Sequence, residues 1–309
     1  MNTEANRKTE WVVGIGEALW DILPEGRKIG GAPVNFAYHM SQFGLRSCAV
    51  SAVGDDEAGR ELRNQLREKG VGHMLETVSF PTGTVEVTLD GAGIPSYEIR
   101  QGVAWDNIPF TPQIEELARH TRAACFGSLA QRSPVSHRTI GRFLETMPDG
   151  EGQYKVFDIN LRQHFYTQQV VEESLRKCNI LKINDEELAV VGGMFGMEGM
   201  QPGEQCRTLL DRYGLRIVIL TCGAAGSSVF APDTRSYIPT PRVEVADTVG
   251  AGDSFTGSFA AALLSGLGIE EAHRLAVEVS AHVCSQHGAM PEMPRRFTAR
   301  LRGCDDTGR

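Results

Sequence analysis

Paired cysteines are the first thing this chain lacks. Its seven cysteines, Cys48, Cys125, Cys178, Cys206, Cys222, Cys284 and Cys304, are scattered, odd in number and never spaced Cys-x-x-Cys. That excludes a disulfide framework and a structural zinc site. Several lie in apolar runs, where a reduced thiol packs as a small hydrophobe, so a reducing cytoplasm is expected. No apolar run approaches the ~18 residues of a membrane helix, and no membrane partner is expected. Met1 to Glu10 are polar without an apolar core, so no signal peptide is expected. A basic surplus is missing too: 31 Lys and Arg against 39 Asp and Glu give a net charge of −8, which argues against a nucleic-acid partner. The one basic stretch, Arg295 to Arg302, reads as a solvated or helical end.

Several catalytic strings are also absent. There is no Gly-x-x-x-x-Gly-Lys-[Ser/Thr] phosphate loop, no His-Glu-x-x-His and no Gly-x-Ser-x-Gly. A dinucleotide fingerprint opening at Gly14 and Gly16 fails, because Leu19 stands at the third glycine position. No repeats or low-complexity tracts occur.

What is present is an ordinary globular composition. Of 309 residues, 41% are hydrophobic and 23% charged, enough for a sizeable core and unlike a disordered or fibrous chain. Strand and helix patterns alternate along most of it. Trp11–Gly16, Ser47–Val53, Ala123–Ser128, Tyr154–Asn160, Ile180–Asn184 and Arg216–Thr221 read as buried strands. Residues 84–89 and 96–99 alternate like a half-exposed hairpin around the turn at Asp90, which suggests a small accessory sheet. The run Gly54 to Gly59 reads as solvated loop and helix start.

The chemistry concentrates near the C-terminal end. Asp247-Thr-Val-Gly-Ala-Gly-Asp253 runs into a helical pattern with Phe255, Phe259 and Leu263 on one face. A glycine-rich turn entering a helix leaves unpaired N–H groups at the positive end of the helix dipole, an acceptor for an anion such as phosphate. Asp253 has two readings there: a helix cap, or a base that takes a proton from a hydroxyl attacking a phosphoryl group. Upstream, Gly30-Gly31-Ala32-Pro33-Val34-Asn35 makes a second open turn into a helix, and Asn35 projects from its first turn. Asp158, Asn160 and Arg162 follow a strand end, where ligands of parallel sheets bind. Asp185, Glu186 and Glu187 favour a helix start after Asn184.

Asp-Thr-x-Gly-Ala-Gly-Asp at 247–253 and Gly-Gly-x-x-x-Asn-x-Ala at 30–37 closely resemble the two signatures of the ribokinase-like (PfkB) sugar and nucleoside kinases. The Ala-Pro after the glycines looks most like the fructokinase branch. The resemblance covers roughly 11–294. It implies an α/β ribokinase-like fold: a mainly parallel central sheet, helices on both faces and a small β lid from about 17–32 and 82–106. Residues 1–10 would be a disordered tail and 295–309 a C-terminal tail.

The resemblance implies roles residue by residue. Asp253 is the base, and Gly250, Ala251 and Gly252 form the anion hole. Asp21, Gly30, Gly31, Asn35, Arg100, Asn160 and Arg162 contact the sugar. Asn184, Thr221, Gly223, Gly226, Gly252 and His282 contact ATP. Glu187 holds magnesium through water, and Asp247 and Gly288 fall where some members bind potassium. Without the resemblance, Asp21 reads as a turn residue, Arg100 as a surface arginine, Arg162 as a structural ion pair and Gly223/Gly226 as plain turn glycines. The expected reaction is ATP-dependent phosphorylation of fructose by a homodimer joined through the lid. The alternatives are another sugar or sugar acid (ribose, 2-keto-3-deoxygluconate), a nucleoside, or a non-catalytic binding protein.

Overall fold

The computed structural model describes residues 10–24, 26–89 and 95–302. The expected N-terminal tail, apart from Glu10, and the hairpin turn at 90–93 lie outside the described residues. The first strand, β1 (Trp11–Ile15), is an inner strand of the large sheet, and β2 (Leu19–Leu23) and β3 (Gly26–Gly30) form a hairpin of a separate small sheet. β4 (Ser47–Gly54) and β5 (Gly72–Val78) extend the large sheet; β6 (Gly83–Leu89) and β7 (Pro95–Ile99) extend the hairpin. The large sheet then continues with β8 (Thr121–Phe126), β9 (Tyr154–Asp158), β10 (Ile180–Asn184) and β11 (Ile217–Thr221). The antiparallel hairpin β12 (Ser227–Ala231) and β13 (Thr234–Ile238) closes one edge. Its order is β13-β12-β11-β10-β9-β8-β1-β4-β5, parallel from β11 to β5. The small sheet has the order β3-β2-β6-β7.

Helices α1 (Ala32–Gln42) and α2 (Glu57–Glu68) precede the second lid hairpin. α3 (Pro112–Arg119), α4 (Pro134–Thr146), α5 (Gln168–Lys177), α6 (Asp185–Met194) and α7 (Pro202–Tyr213) alternate with the strands. α8 (Ala251–Leu264), α9 (Ile269–Cys284) and α10 (Arg295–Arg302) follow the last hairpin.

Side chains alternate between the faces of a strand, and this divides the core in two. Leu181 and Ile183 of β10 pack with Phe143 of α4 and Val191 of α6. Ile180 packs on the opposite face with Phe36 and Met40 of α1, Phe255 and Phe259 of α8 and Leu275 of α9. The same alternation sends Phe157 of β9 to the first layer and Val156 to the second. Lys182 and Asp158 therefore share the face on which α8 lies.

Three features differ from the sequence reading. Asp21 is not in a turn but in the middle of β2, opposite Lys28 of β3. Asp56, read as solvated, caps α2 by accepting from the Gly59 N–H at 2.7 Å. It also accepts from the Thr82 N–H and hydroxyl at 2.8 and 2.6 Å, so it ties that helix to the root of the lid. The segment expected as a tail contains α10, which buries Phe297 and Leu301 against the α9 layer. The six cysteines in the described residues are free. No helix among the described residues is long and apolar enough to cross a membrane.

Candidate active site

Three helix N-termini, those of α1, α6 and α8, open onto one cleft of about 1920 Å³. A pocket for one small ligand is typically about 300–1,000 Å³, so this cleft has room for two. The lid strands wall one end through Leu19, Asp21, Lys28, Val85 and Ile99. The β11–β12 turn and the segment 240–249 wall the other.

At the floor, α8 begins at Gly250, whose φ of 77° is a left-handed conformation that favours glycine. A β-carbon there would also lie 2.6 Å from the Ala289 backbone. No side chain caps this helix. The Ala251 N–H reaches the Thr248 carbonyl at 3.3 Å, whereas those of Gly250, Gly252 and Asp253 meet no acceptor among the described residues. The amides left free at this helix start are thus Gly250, Gly252 and Asp253, with Ala251 already engaged.

Asp253 follows in the first turn of α8. Its Oδ2 accepts from Asn35 Nδ2 at 2.7 Å, so the two expected signature residues meet across 218 residues of sequence. Burial raises the Asp253 carboxyl to about 6, with Asp158 adding to the rise and Asn35, Lys182 and Arg162 opposing it. Beside it stands Glu17, 3% exposed. Glu17 Oε1 accepts from the Ala32 N–H at 3.3 Å and so caps α1, while Oε2 has no partner. Burial pushes Glu17 up to about 7, and the negative charge of Asp253 adds to this. Asp21, in the lid, is raised to about 6, again mainly by burial.

The other expected sugar contacts fall into two groups. Gly31 caps α1 and lines the cleft, and Gly30 lies against the Asp21 carboxylate. Asn160, at a φ of 43°, and Arg162 line the cleft, and Arg162 Nη2 donates to Asn160 Oδ1 at 3.2 Å. Arg100 is not brought in. It is exposed beyond Ile99, does not line the cleft, and its carbonyl accepts from Arg132.

On the nucleotide side, Thr221, Gly223 and Gly226 line the cleft, and the Thr240 hydroxyl donates to the Gly223 carbonyl at 2.6 Å. His282 is a correction. It does not line the cleft, and its ring faces Phe297 at 5.8 Å. Val277, Ser280, Ala281 and Cys284 line the cleft instead, one stripe of α9. Asp247 and Gly288 do come together, the Gly288 N–H donating to Asp247 Oδ2 at 3.0 Å.

At α6, Asn184 Oδ1 accepts from the Glu187 N–H at 2.8 Å and Glu187 Oε2 accepts from the Asn184 N–H at 3.0 Å, a reciprocal cap. Glu187 Oε1 also accepts from the Leu161 N–H at 3.1 Å. Glu187 is therefore buried under the cleft, and of the three acids in this turn Asp185 and Glu186 line it. No group of three or more His, Cys, Asp or Glu among the described residues is placed to cage a metal. Magnesium needs no such cage, since it keeps waters and takes one or two carboxylates plus substrate phosphates. Asp185 and Glu186 beside Asn184 fit that demand.

Sequence reasoning singled out neither Glu17 nor Lys182. Lys182 is 5% exposed and donates to Asp158 Oδ1 at 3.0 Å. A signal for it existed: a charge inside the apolar run Ile180-Leu181-Lys182-Ile183 is almost never buried without a partner.

The architecture is shared with known proteins. It superposes on a putative ribokinase II from E. coli with a TM-score of 0.82 at 19% identity, covering 96% of this chain and 99% of that one. The fold is ribokinase-like. Among curated proteins, the chain is 26% identical to fructokinase-1 of Oryza sativa subsp. japonica over 93% of this chain and 95% of the other. It is 28% identical to a nucleoside kinase of Methanothermobacter thermautotrophicus, covering 87% and 84%. Residues 25–296 match the model of the pfkB family carbohydrate kinases, and the chain belongs to that family.

Proposed function

We propose that this protein transfers the γ-phosphoryl group of ATP to a hydroxyl of fructose, with residues 11–294 as the kinase domain and 17–32 and 82–106 as its lid. The observation that carries the reading is Asp253, hydrogen-bonded to Asn35 at the mouth of an uncapped helix. A carboxylate beside an anion hole is of no use to a protein that merely holds phosphate. It is of use where a hydroxyl must lose its proton as it attacks phosphorus.

Asp253 takes the hydroxyl proton. The sugar oxygen attacks the γ-phosphorus, the bond to the β–γ bridging oxygen breaks, and ADP leaves. The amides of Gly250, Gly252 and Asp253 stabilise the charge on the group in transit. Asp21, Gly31, Asn35, Asn160 and Arg162 orient the sugar under the lid. Asn184, Thr221, Gly223 and Gly226 hold the phosphates, and the α9 stripe packs on the base. Asp185 and Glu186, with Glu187 beneath them, would hold magnesium together with the phosphates, and the metal would neutralise phosphate charge. Potassium would sit where Asp247 joins Gly288. Among the described residues no strand pairs with the outer edges of β3 and β7 in the lid sheet, which suits pairing with a second copy; sedimentation of the purified protein as a monomer would remove that part.

Fructose is preferred because the Ala-Pro after Gly30 and Gly31 looks most like the fructokinase branch. A sugar acid is the nearest rival, since one arginine can hold a carboxylate through two parallel N–H donors and Arg162 lines the cleft. The test is ADP release from Mg-ATP with fructose, ribose, tagatose, glucose, 2-keto-3-deoxygluconate and adenosine. Turnover with fructose is expected. Turnover with another compound replaces the substrate, and none with any of them, while ATP binds, favours a non-catalytic binding protein.

A further inference from the structure

The reaction just described gives no task to a buried lysine in the cleft, Lys182. Lys182 stands in the middle of β10 between apolar neighbours, where a branched hydrophobe would pack without penalty. Taking an ammonium out of water costs several kcal/mol even after relaxation. Breaking such a pair is harmful, but replacing it with apolar residues often is not, so stability alone is a weak reason to keep it.

Its position supplies a reason. Strand alternation points it, with Ile180, to the face where α8 starts. Its Nζ stands 2.8 Å from where a β-carbon on Gly252 would be, beside one of the free amides. It lines the cleft. An ammonium has three N–H donors; Asp158 takes one at 3.0 Å, and no other protein acceptor meets it among the described residues. Asp158 also accepts from the Thr256 hydroxyl at 2.8 Å, and that hydroxyl lies 3.1 Å from the Gly252 carbonyl. The same carboxylate thus braces the lysine and the first turn of α8 as one unit. Burial alone would discharge the lysine, but Asp158, Glu187 and Asp253 outweigh it and keep the ammonium charged.

We propose that Lys182 is a catalytic residue, the cation that meets the phosphoryl group in transfer beside the Gly252 amide. The inference rests on the kinase reading. Lys182 keeps its proton throughout; the proton lost by the sugar goes to Asp253, and the lysine supplies fixed positive charge to the oxygens around phosphorus. Asp158 positions it.

The test uses the full chain with Lys182→Met and, because a lone Asp158 left unpaired could unfold it, the charge-balanced double variant Lys182→Met/Asp158→Asn. Both are expected to lose kcat by ~100-fold or more, the scale of one lost oxyanion donor. ADP affinity alone should change by less than about threefold, whereas the tightening given by aluminium fluoride with ADP and sugar should vanish, because a transition-state contact is removed. With Lys182→Met alone, where Asp158 keeps its charge, the acid limb of kcat/KM should also move up in pH. The groups facing Asp253 are Asp158, Lys182, Arg162, Glu17 and Asn35, and removing Lys182 deletes a favourable charge among them.

A folded double variant with wild-type kcat and intact aluminium-fluoride tightening would make Lys182 a structural ion pair and overturn the proposal. Wild-type protein that turns over no sugar would be a failure of the kinase reading itself. It is measured first, so the two failures are distinguishable.

Discussion

Two helices start at the floor of the same cleft and are built in opposite ways. α6 is closed at its N-terminus: Asn184 and Glu187 bond each other's backbone, and Asp185, Glu186 and Glu187 occupy the first turn. α8 is open: Gly250 carries no capping side chain, and three N–H groups there are free among the described residues. Both ends carry the positive pole of a helix dipole. α6 neutralises its own with three acids, so the field left over attracts a cation. α8 leaves its pole uncompensated apart from the catalytic candidate Asp253, so it attracts an anion. On the proposed function, a magnesium–phosphate pair laid across the cleft would thereby be given a direction, metal towards α6 and transferring phosphoryl towards α8.

The contrast can be broken at four points. The largest effect is expected at Asp253: Asp253→Asn should lower kcat by ~100-fold or more, the scale of a lost general base. Near-wild-type turnover in a folded variant would reduce Asp253 to a cap. Next is Gly252→Ala, whose β-carbon would sit 2.8 Å from Lys182 Nζ. Displacing either group should cost about 10- to 100-fold in kcat, as small misplacements at a reacting centre do. An unchanged kcat would mean that the lysine yields freely.

At α6 the effect should fall on stability. Glu187→Gln turns one carboxylate oxygen that accepts a backbone N–H into a donor, and a buried unsatisfied group costs about 1–3 kcal/mol. Urea denaturation reads this, and no loss would contradict the closed start. The smallest effect concerns pH. Asp253 is harder to ionise folded than unfolded, its carboxyl moving from 3.8 to about 6. It therefore costs nothing in stability below its unfolded value and progressively more as pH rises through about 6. Asp253→Asn should be more stable than wild type by about 1–3 kcal/mol near pH 8, with the difference gone near pH 4. In wild type, kcat/KM should rise through about 6 as Asp253 ionises.

How much of this was legible beforehand depended on range. The α8 turn, the Pro33 helix start, the β10 strand and the hairpin of residues 84–99 are local patterns, and each falls where its residues indicate. Asp56 is harder, because two of its three bonds go to Thr82, which no short window contains. His282 shows the limit of position without phase: α9 turns Ala281 to the cleft and the next residue about 100° away, onto Phe297. Glu17 and Lys182 are visible as charges next to apolar strands. What each faces is decided only when β1, β10 and α8 are brought together.

The bond between Asn35 and Asp253 has a consequence for synthesis. The two residues are 218 positions apart, and the apolar face of α1, with Phe36 and Met40, is covered by Phe255 and Phe259. At ribosomal rates of about 5–20 residues/s, the first helix waits about 10–40 s with that face bare before its cover emerges. The first-made part of the chain is thus among the last to be buried, and for that interval it depends on whatever shelters nascent chains.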